Sequence, residues 1–421
     1  MRALISKSSL KGRAEAPSSK SYTLRGLMCA ALASGRSEIS RPLISDDTEA
    51  AREVLSKVGV GIQQDAGSWL VSGGHFHQPD SDLFCRDSAG TLRFMTAICS
   101  LIPGRCRLTA GPSLSKRPVK PLLQALQRLG VNCFSPGDAA AVIVEGVHLK
   151  GGTVELPGDI SSQFISAILF ISPLAEDGMT IRLTTPLKSI PYILMTLACM
   201  QSFGAKVGLA PDMTRFAVER QTYKPCSYRV EGDWSSASYL LALGAVAGET
   251  EVVNLNPESR QGDREILNLL RKMGASINVG QDLITVKKSN LKAVKADLSD
   301  CIDLLPTMAA LAAVADGVSE FTGINRARLK ESDRVAAVKE GLERMNIEVN
   351  EGTDKLTIKG ARPKGAIIDS KGDHRIAMAF SIPGILAGET IIEGAECVSK
   401  TYPRFWDTLK SLGGDVNLHG E

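Results

Sequence analysis

The sequence predicts an α/β chain of two domains, each built from three repeats of one helix-and-strand unit. Three observations carry that reading. The chain has 421 residues, more than one hydrophobic core usually serves. Apolar helix-like segments recur at intervals of about 70 residues. A second set of amphipathic segments alternates with them, each ending at Gly or Asn before a β-rich stretch.

The apolar segments open at Ser21, Gly90, Ser161, Ser235, Asp303 and His374. Each begins with small or polar residues and ends near a Gly followed by alternating residues, which reads as helix, turn, strand. The second set stops at Val58-Gly59-Val60, Leu129-Gly130-Val131, Phe203-Gly204-Ala205, Met273-Gly274-Ala275, Met345-Asn346-Ile347 and Leu412-Gly413-Gly414. Gly, and after it Asn, supplies the left-handed residue that ends a helix. Gly158-Asp159-Ile160-Ser161-Ser162 and Gly232-Asp233-Trp234-Ser235-Ser236 are near-copies that mark units three and four. Three units per domain give a first domain of 14–229 and a second of 1–13 together with 230–421. The sixth unit stops soon after Val416-Asn417-Leu418, so the strand around Arg2 to Ser6 is expected to complete the second domain. Equivalent packing would point the helix N-termini one way and gather partial positive charge where the domains face each other, an anion site.

Composition excludes several classes. Charged residues make up 23% of the chain and apolar residues 43%, ordinary globular usage rather than that of a disordered or membrane protein. A net charge of +3 provides no general field for nucleic acid, so an anion site must come from local Lys and Arg. The nine Cys are odd in number and form no Cys-x-x-Cys pair, as reduced thiols in the cytoplasm would be. Met1 to Lys20 holds only the apolar run Ala3-Leu4-Ile5, which is no signal peptide, and no run reaches bilayer length. A soluble monomer, bound to no membrane, is expected. The chain has no Gly-x-x-x-x-Gly-Lys-Ser/Thr loop or Gly-x-Gly-x-x-Gly fingerprint, so no cofactor is implied, and its His and Cys spacing suggests no metal.

Two segments carry chemistry by themselves. In Pro17-Ser18-Ser19-Lys20-Ser21, with Arg25 four residues on, Lys20, Ser21 and Arg25 can meet one ligand at a helix start. Leu329-Lys330-Glu331-Ser332-Asp333-Arg334 leads into a helix with apolar face Val335, Val338, Leu342 and Met345. Lys330 and Arg334, four apart, repel each other unless an anion stands between them. Either segment alone also fits a solvated helix start.

Taken in order, Ser19-Lys20-Ser21 with Arg25, Arg117-Pro118, Ser161-Ser162-Gln163, Gly232-Asp233 with Ser235-Ser236-Ala237-Ser238-Tyr239, Lys330-Glu331-Ser332-Asp333-Arg334, Asp373-His374-Arg375 and Lys400-Thr401 resemble the enolpyruvylshikimate-phosphate synthase family. The set spans nearly the whole chain. The resemblance implies the two-domain enolpyruvyl-transferase fold, an inside-out α/β barrel of six βαβαββ units, three per domain, closing over substrate in the cleft between them. It implies transfer of the enolpyruvyl group of phosphoenolpyruvate to shikimate 3-phosphate. Ser21, Arg25, Ser161, Ser162, Gln163, Ser189, Tyr192, Asp303 and Lys330, with Lys20, would then hold shikimate 3-phosphate. Lys20, Ala89, Gly90, Arg93, Arg117, Gln163, Arg334, Arg375 and Lys400 would line the phosphoenolpyruvate side. Guanidinium groups suit the phosphate and carboxylate of such substrates. Asp303 would take the hydroxyl proton, Glu331 would serve the methylene carbon, Lys20 would aid proton transfer and phosphate departure, and His374 would orient Glu331 or substrate.

The chain departs from the family pattern at three places. Ser18 stands for a usual Gly, and Arg326 stands where some members have Asn. In Asp87-Ser88-Ala89-Gly90-Thr91-Leu92-Arg93 many members have Asn-Ala-Gly-Thr-x-x-Arg. Anchoring on Gly90-Thr91 puts Arg93 one residue early, about 100° around a helix. Anchoring on Arg93, the register preferred here, puts Ala89 where the family's Gly leaves room for the inhibitor glyphosate. Two rival functions lack their signatures. UDP-N-acetylglucosamine enolpyruvyl transferases usually carry a loop Cys five residues before an Arg-Pro pair, where this chain has Pro112, and Asn after the Lys, where it has Ser21. A polyanion clamp of repeated units would need an excess of positive charge.

Overall fold

The computed structural model describes residues 1–115, 117–136 and 141–420. The chain forms two compact units, one of Met1–Pro17 with Gly232–Glu421 and one of Ser18–Glu231; the boundaries fall within four residues of those read from the sequence.

The apolar segments become the inner helices. Lys20–Leu32, Ala89–Ile98 and Ser162–Ile171 lie in the core of the 18–231 unit. Trp234–Ala247, Leu305–Ala312 and His374–Ala387 lie in the core of the other. They are apolar around most of their circumference, as burial on all sides requires, and every residue of Trp234–Ala247 is buried. Strands such as Leu283–Lys287 and Lys355–Lys359 alternate buried and less buried positions, so each sheet packs one face inward.

The described residues form six four-stranded sheets of one topology. In the third unit, Gly152–Leu156 runs parallel to Met179–Leu183, which pairs antiparallel with Arg215–Val218, itself antiparallel to Gly208–Leu209. The parallel pair needs a crossover, and the inner helix provides it. The sixth sheet has the same order because Arg2–Ile5 lies between Thr390–Glu393 and Val416–His419. Two strands change places relative to the sequence. Leu10–Glu15 precedes the first inner helix but runs parallel to Gly248–Val253 in the fourth sheet. Ser227–Arg229 precedes the fourth inner helix but runs parallel to Gly35–Ser40 in the first. The N-terminal segment thus supplies two strands to the second half, one more than its sequence suggests.

The amphipathic helices end at the expected residues. Gly59, Gly130, Gly204, Gly274 and Gly413 have φ of 103°, 85°, 79°, 86° and 96°, and Asn346 has 65°. The fifth unit differs at its start: Asp303 lies in a 3-10 turn, Ile302–Leu304, and the helix proper opens at Leu305 ahead of Pro306. No helix among the described residues is long and apolar enough to cross a membrane, and all nine Cys are free.

Candidate active site

In the 18–231 unit, the polar side chains gather around two buried arginines. Ser19 caps the helix Lys20–Leu32, and Lys20 Nζ lies 2.8 Å from Asp47 Oδ2. One turn on, Arg25 donates from Nε to Thr196 Oγ1 at 2.8 Å, from Nη1 to the Ser21 carbonyl at 3.0 Å and from Nη2 to the Tyr192 carbonyl at 3.2 Å. Its guanidinium also faces the rings of Phe94 and Tyr192. Burial pushes the Arg25 guanidinium below its ordinary value, because desolvation disfavours the charge. Ser189, which precedes the helix Ile190–Ser202, sits at φ 56°, a left-handed conformation uncommon for Ser and typical of ligand-holding segments.

Arg93 joins three sequence motifs. Its Nη1 donates to Gln163 Oε1 at 2.7 Å and Ser161 Oγ at 3.2 Å, and its Nη2 donates to the Pro118 carbonyl at 2.9 Å, next to Arg117. The guanidinium lies 4.9 Å from the Phe164 ring centre, a cation–π distance. Ser161 caps its helix, and Ser162 is buried in the first turn. Ala89 opens the helix Ala89–Ile98 one turn before Arg93 and is buried, so the two share a helix face. A methyl group on Gly90 would meet Leu24 Cδ1 at 2.9 Å and lie 4.0 Å from Gln163 Nε2, so Gly90 faces the neighbouring helix at the edge of the Gln163 side chain.

In the other unit, the cluster forms around Arg334, 1% exposed. Its Nε donates to Asp373 Oδ2 at 2.8 Å, Nη1 to Asp303 Oδ1 at 2.6 Å, and Nη2 to Glu331 Oε2 at 2.6 Å and Asp373 Oδ1 at 3.2 Å. Burial opposes the Arg334 charge, but Asp373, Glu331 and Asp303 outweigh it and hold the guanidinium above its ordinary value. Asp303 also meets Lys330 at 3.2 Å and, through its other oxygen, Arg375 at 3.3 Å. The spacing of Lys330 and Arg334 called for an anion between them. Asp303 stands there, so the protein itself supplies an anion between the two cations.

A further carboxylate lies behind this cluster. Asp263 is buried, and its Oδ2 accepts a short hydrogen bond from Ser235 Oγ. Gln261 fixes the segment by accepting from Trp234 N at 3.1 Å and donating to the Gly232 carbonyl at 2.8 Å. Burial and then the charge of Asp303 push Asp263 up to about 7, against the opposing pull of Arg375 and the Ser235 hydroxyl.

The structure therefore gathers Ser21, Arg25 and Tyr192 around one arginine, and Arg93, Ser161 and Gln163 with the Arg117-Pro118 pair around another. It gathers Asp303, Lys330, Glu331 and Arg375 around Arg334. His374 is buried with Nδ1 3.8 Å from Asp373 Oδ1. Lys400 is buried at the end of the 3-10 turn Ala395–Lys400. Arg326 donates to the Ser299 carbonyl at 2.5 Å. Sequence reasoning missed Asp47, Thr196 and Asp263, and gave Asp373 no role. Asp47 lies in Ser45-Asp46-Asp47-Thr48, which reads as an acidic helix start, and Asp373 opens the Asp373-His374-Arg375 motif as the cap of its helix; Thr196 and Asp263 carry no local signal.

A family model described as EPSP synthase (3-phosphoshikimate 1-carboxyvinyltransferase) matches residues 5–409. A Dehalococcoides mccartyi (strain 195) protein named 3-phosphoshikimate 1-carboxyvinyltransferase is 49% identical over 418 residues, 99% of each chain. A protein of the same name from Methanocaldococcus jannaschii is 40% identical over 418 residues, 97% of each. Among solved structures, EPSP synthase from Acinetobacter baumannii is similar with a TM-score of 0.83 at 25% identity, over 99% of this chain and 100% of that one. The enolpyruvyl transferase NikO from Streptomyces tendae is similar in fold, with a TM-score of 0.80 at 18% identity over 99% of this chain and 98% of that one.

Proposed function

The chain belongs to the EPSP synthase family, and we infer that it transfers the enolpyruvyl group of phosphoenolpyruvate to the 5-hydroxyl of shikimate 3-phosphate, releasing phosphate, on the route to chorismate and the aromatic amino acids. The observation that carries the reading is the convergence of Lys330, Arg334 and Arg375 on Asp303, with Glu331 on the same guanidinium. Two carboxylates beside three cations can exchange protons while anions are bound, as addition followed by elimination requires.

In this reading, Asp303 accepts the proton of the 5-hydroxyl as that oxygen bonds to C2 of phosphoenolpyruvate. The methylene carbon gains a proton carried by Glu331 and returns it when the C2–O bond to phosphate breaks. Lys20, held near Asp47, aids proton transfer and the departing phosphate. Asp373 fixes Arg334, and His374 beside it steadies that arrangement. Ser21, Arg25, Ser161, Ser162, Gln163, Ser189, Tyr192 and Lys330 hold shikimate 3-phosphate, whereas Lys20, Ala89, Gly90, Arg93, Arg117, Gln163, Arg334, Arg375 and Lys400 line the side of phosphoenolpyruvate. Arg334 acts there through the carboxylates it holds. In this reading the chain works in the cytoplasm as a monomer; its free thiols support the compartment.

Phosphate release from phosphoenolpyruvate tests this directly. Release is expected with shikimate 3-phosphate and not with UDP-N-acetylglucosamine; the reverse preference would reject the assignment.

A further inference from the structure

Asp263 is not used by the reaction as described, yet the structure builds a site for it. The turn that carries it, Gly262–Glu265, packs against the turn Ile302–Leu304 that carries Asp303, and the helix Trp234–Ala247 packs against both. One Asp263 oxygen takes the Ser235 hydroxyl; the other, Oδ1, is buried without a hydrogen-bond partner among the described residues. A buried carboxylate in that state is costly when charged and far less so when protonated. The groups that face it are Asp303 and Cys301 from the neighbouring turn, Asp233 at the cap of Trp234–Ala247 and Arg375 from His374–Ala387. The charges of the following helix, Arg271 and Lys272, are exposed in its last turn. Burial first, and then the two carboxylates Asp303 and Asp233 against the one cation Arg375, leave Asp263 the carboxylate that keeps its proton, with its value near 7.

Resting on the enolpyruvyl-transfer reading, we propose that Asp263 is a positioning residue for Asp303. Protonated, it is a neutral neighbour and leaves Asp303 the carboxylate on which Lys330, Arg334 and Arg375 converge. Ionised, it adds a negative charge that acts on Asp303 and Arg375 and opposes the anionic substrates that Arg375 attracts. The second of the near-copied motifs, Gly232-Asp233-Trp234-Ser235-Ser236, then serves through Ser235 to set the pH at which this happens.

The experiment measures KM for shikimate 3-phosphate, by phosphate release from pH 5.5 to 8.5, in the full chain and its Asp263→Asn and Ser235→Ala variants. The unsubstituted chain should show KM rising by about threefold to tenfold more between pH 6 and 8 than Asp263→Asn, the size of one unit charge acting across several ångströms of protein. Ionisation of the substrate's own phosphate is common to all three proteins and cancels. In Ser235→Ala the rise should move to higher pH, because the hydroxyl that favours the charged form is gone. Equal slopes in the unsubstituted chain and Asp263→Asn would overturn the proposal while phosphate release itself upholds the reaction. If Asp263→Asn does not fold, the Ser235→Ala shift decides, and an unmoved profile there overturns the proposal. No release by the unsubstituted chain would reject the enolpyruvyl-transfer reading itself and the proposal with it.

Discussion

Arg93 in one unit and Arg334 in the other are both buried guanidinium groups at the heart of a polar cluster, but they face different acceptors. Arg93 donates to a hydroxyl, a side-chain amide and a backbone carbonyl, as Arg25 does to a hydroxyl and two carbonyls. These described acceptors are neutral. Arg334 donates to three carboxylates, so its charge is spent on fixing Asp303, Glu331 and Asp373. The near-copied motifs repeat the contrast. Ser161 caps its helix and meets Arg93, whereas in the second copy Asp233 is the cap and Ser235, two residues further on in the first turn, meets Asp263. A shift of the helix start by two residues along the motif turns a cation-facing serine into an acid-facing one. On the proposed reading, the 18–231 unit contributes mainly anion-binding groups, and the other contributes the two proton-carrying carboxylates beside further anion-binding cations.

The most severe test removes the proposed proton acceptor. Asp303→Asn should lower kcat by about 10²- to 10⁴-fold, the range for a positioned base, with KM changed far less. Steady-state kinetics on both substrates measures this, and turnover near that of the unsubstituted chain would remove Asp303 from the chemistry. On the anion-holding side the opposite split is expected. Arg25→Met, apolar and of similar length, should raise KM for shikimate 3-phosphate by about 30- to 100-fold, the worth of charge-assisted hydrogen bonds to phosphate, and leave kcat less affected. A fall in kcat at constant KM would break the division of labour between the units.

Ala89 sharpens the comparison within the anion-holding unit. Arg93 reaches Ser161 and Gln163, and Gly90 faces Leu24, which supports aligning the family's Arg with Arg93 and its Gly with Ala89. On that register the Ala89 methyl would take space that glyphosate needs and phosphoenolpyruvate does not. An overlap of this kind costs about 1 to 3 kcal/mol. Ala89→Gly should therefore strengthen glyphosate inhibition by about one to two decades at similar KM for phosphoenolpyruvate. Inhibition of the unsubstituted chain at glyphosate concentrations below that KM would reject the register.

Much of the fold was legible because its signals are local. Six inner helices, the left-handed stops at five Gly and Asn346, and the return of Arg2–Ile5 to the sixth sheet follow from short-range pattern and from counting repeats. The exchange of Leu10–Glu15 and Ser227–Arg229 between sheets was not legible. Each pairs with a strand roughly 190 to 240 residues away, and a short strand carries no mark of its distant partner. The site divides the same way. Its cations stand in ordered motifs, so Lys20, Arg25, Arg93, Lys330, Arg334 and Arg375 were named from sequence. The acids that answer them, Asp47, Asp263 and Asp373, sit in contexts that read equally well as helix starts and turns, and only three-dimensional packing assigns them.

The smallest effect expected bears on the charge balance of the proton-moving unit. Unfolded, Asp263 has an ordinary carboxylate value near 4; folded, burial and Asp303 raise it to about 7. Between those values the folded chain keeps a proton that the unfolded chain has lost, so ν_U − ν_N is negative and stability falls as pH rises, by about 1.4 kcal/mol per pH unit at most. The stabilising contribution is whole below the unfolded value and gone once pH has climbed through the folded one. Asn at this position is neutral throughout and undergoes no such loss, although it forgoes the charged form of the Ser235 hydrogen bond. Asp263→Asn should therefore gain in Tm relative to the unsubstituted chain as pH goes from 4 to 8, by about a few degrees. Scanning calorimetry at the two pH values measures the change. A Tm difference that stays constant from pH 4 to 8 would mean that Asp263 folds already ionised, and the acid-lined side would then carry four fixed carboxylates instead of three and one that yields.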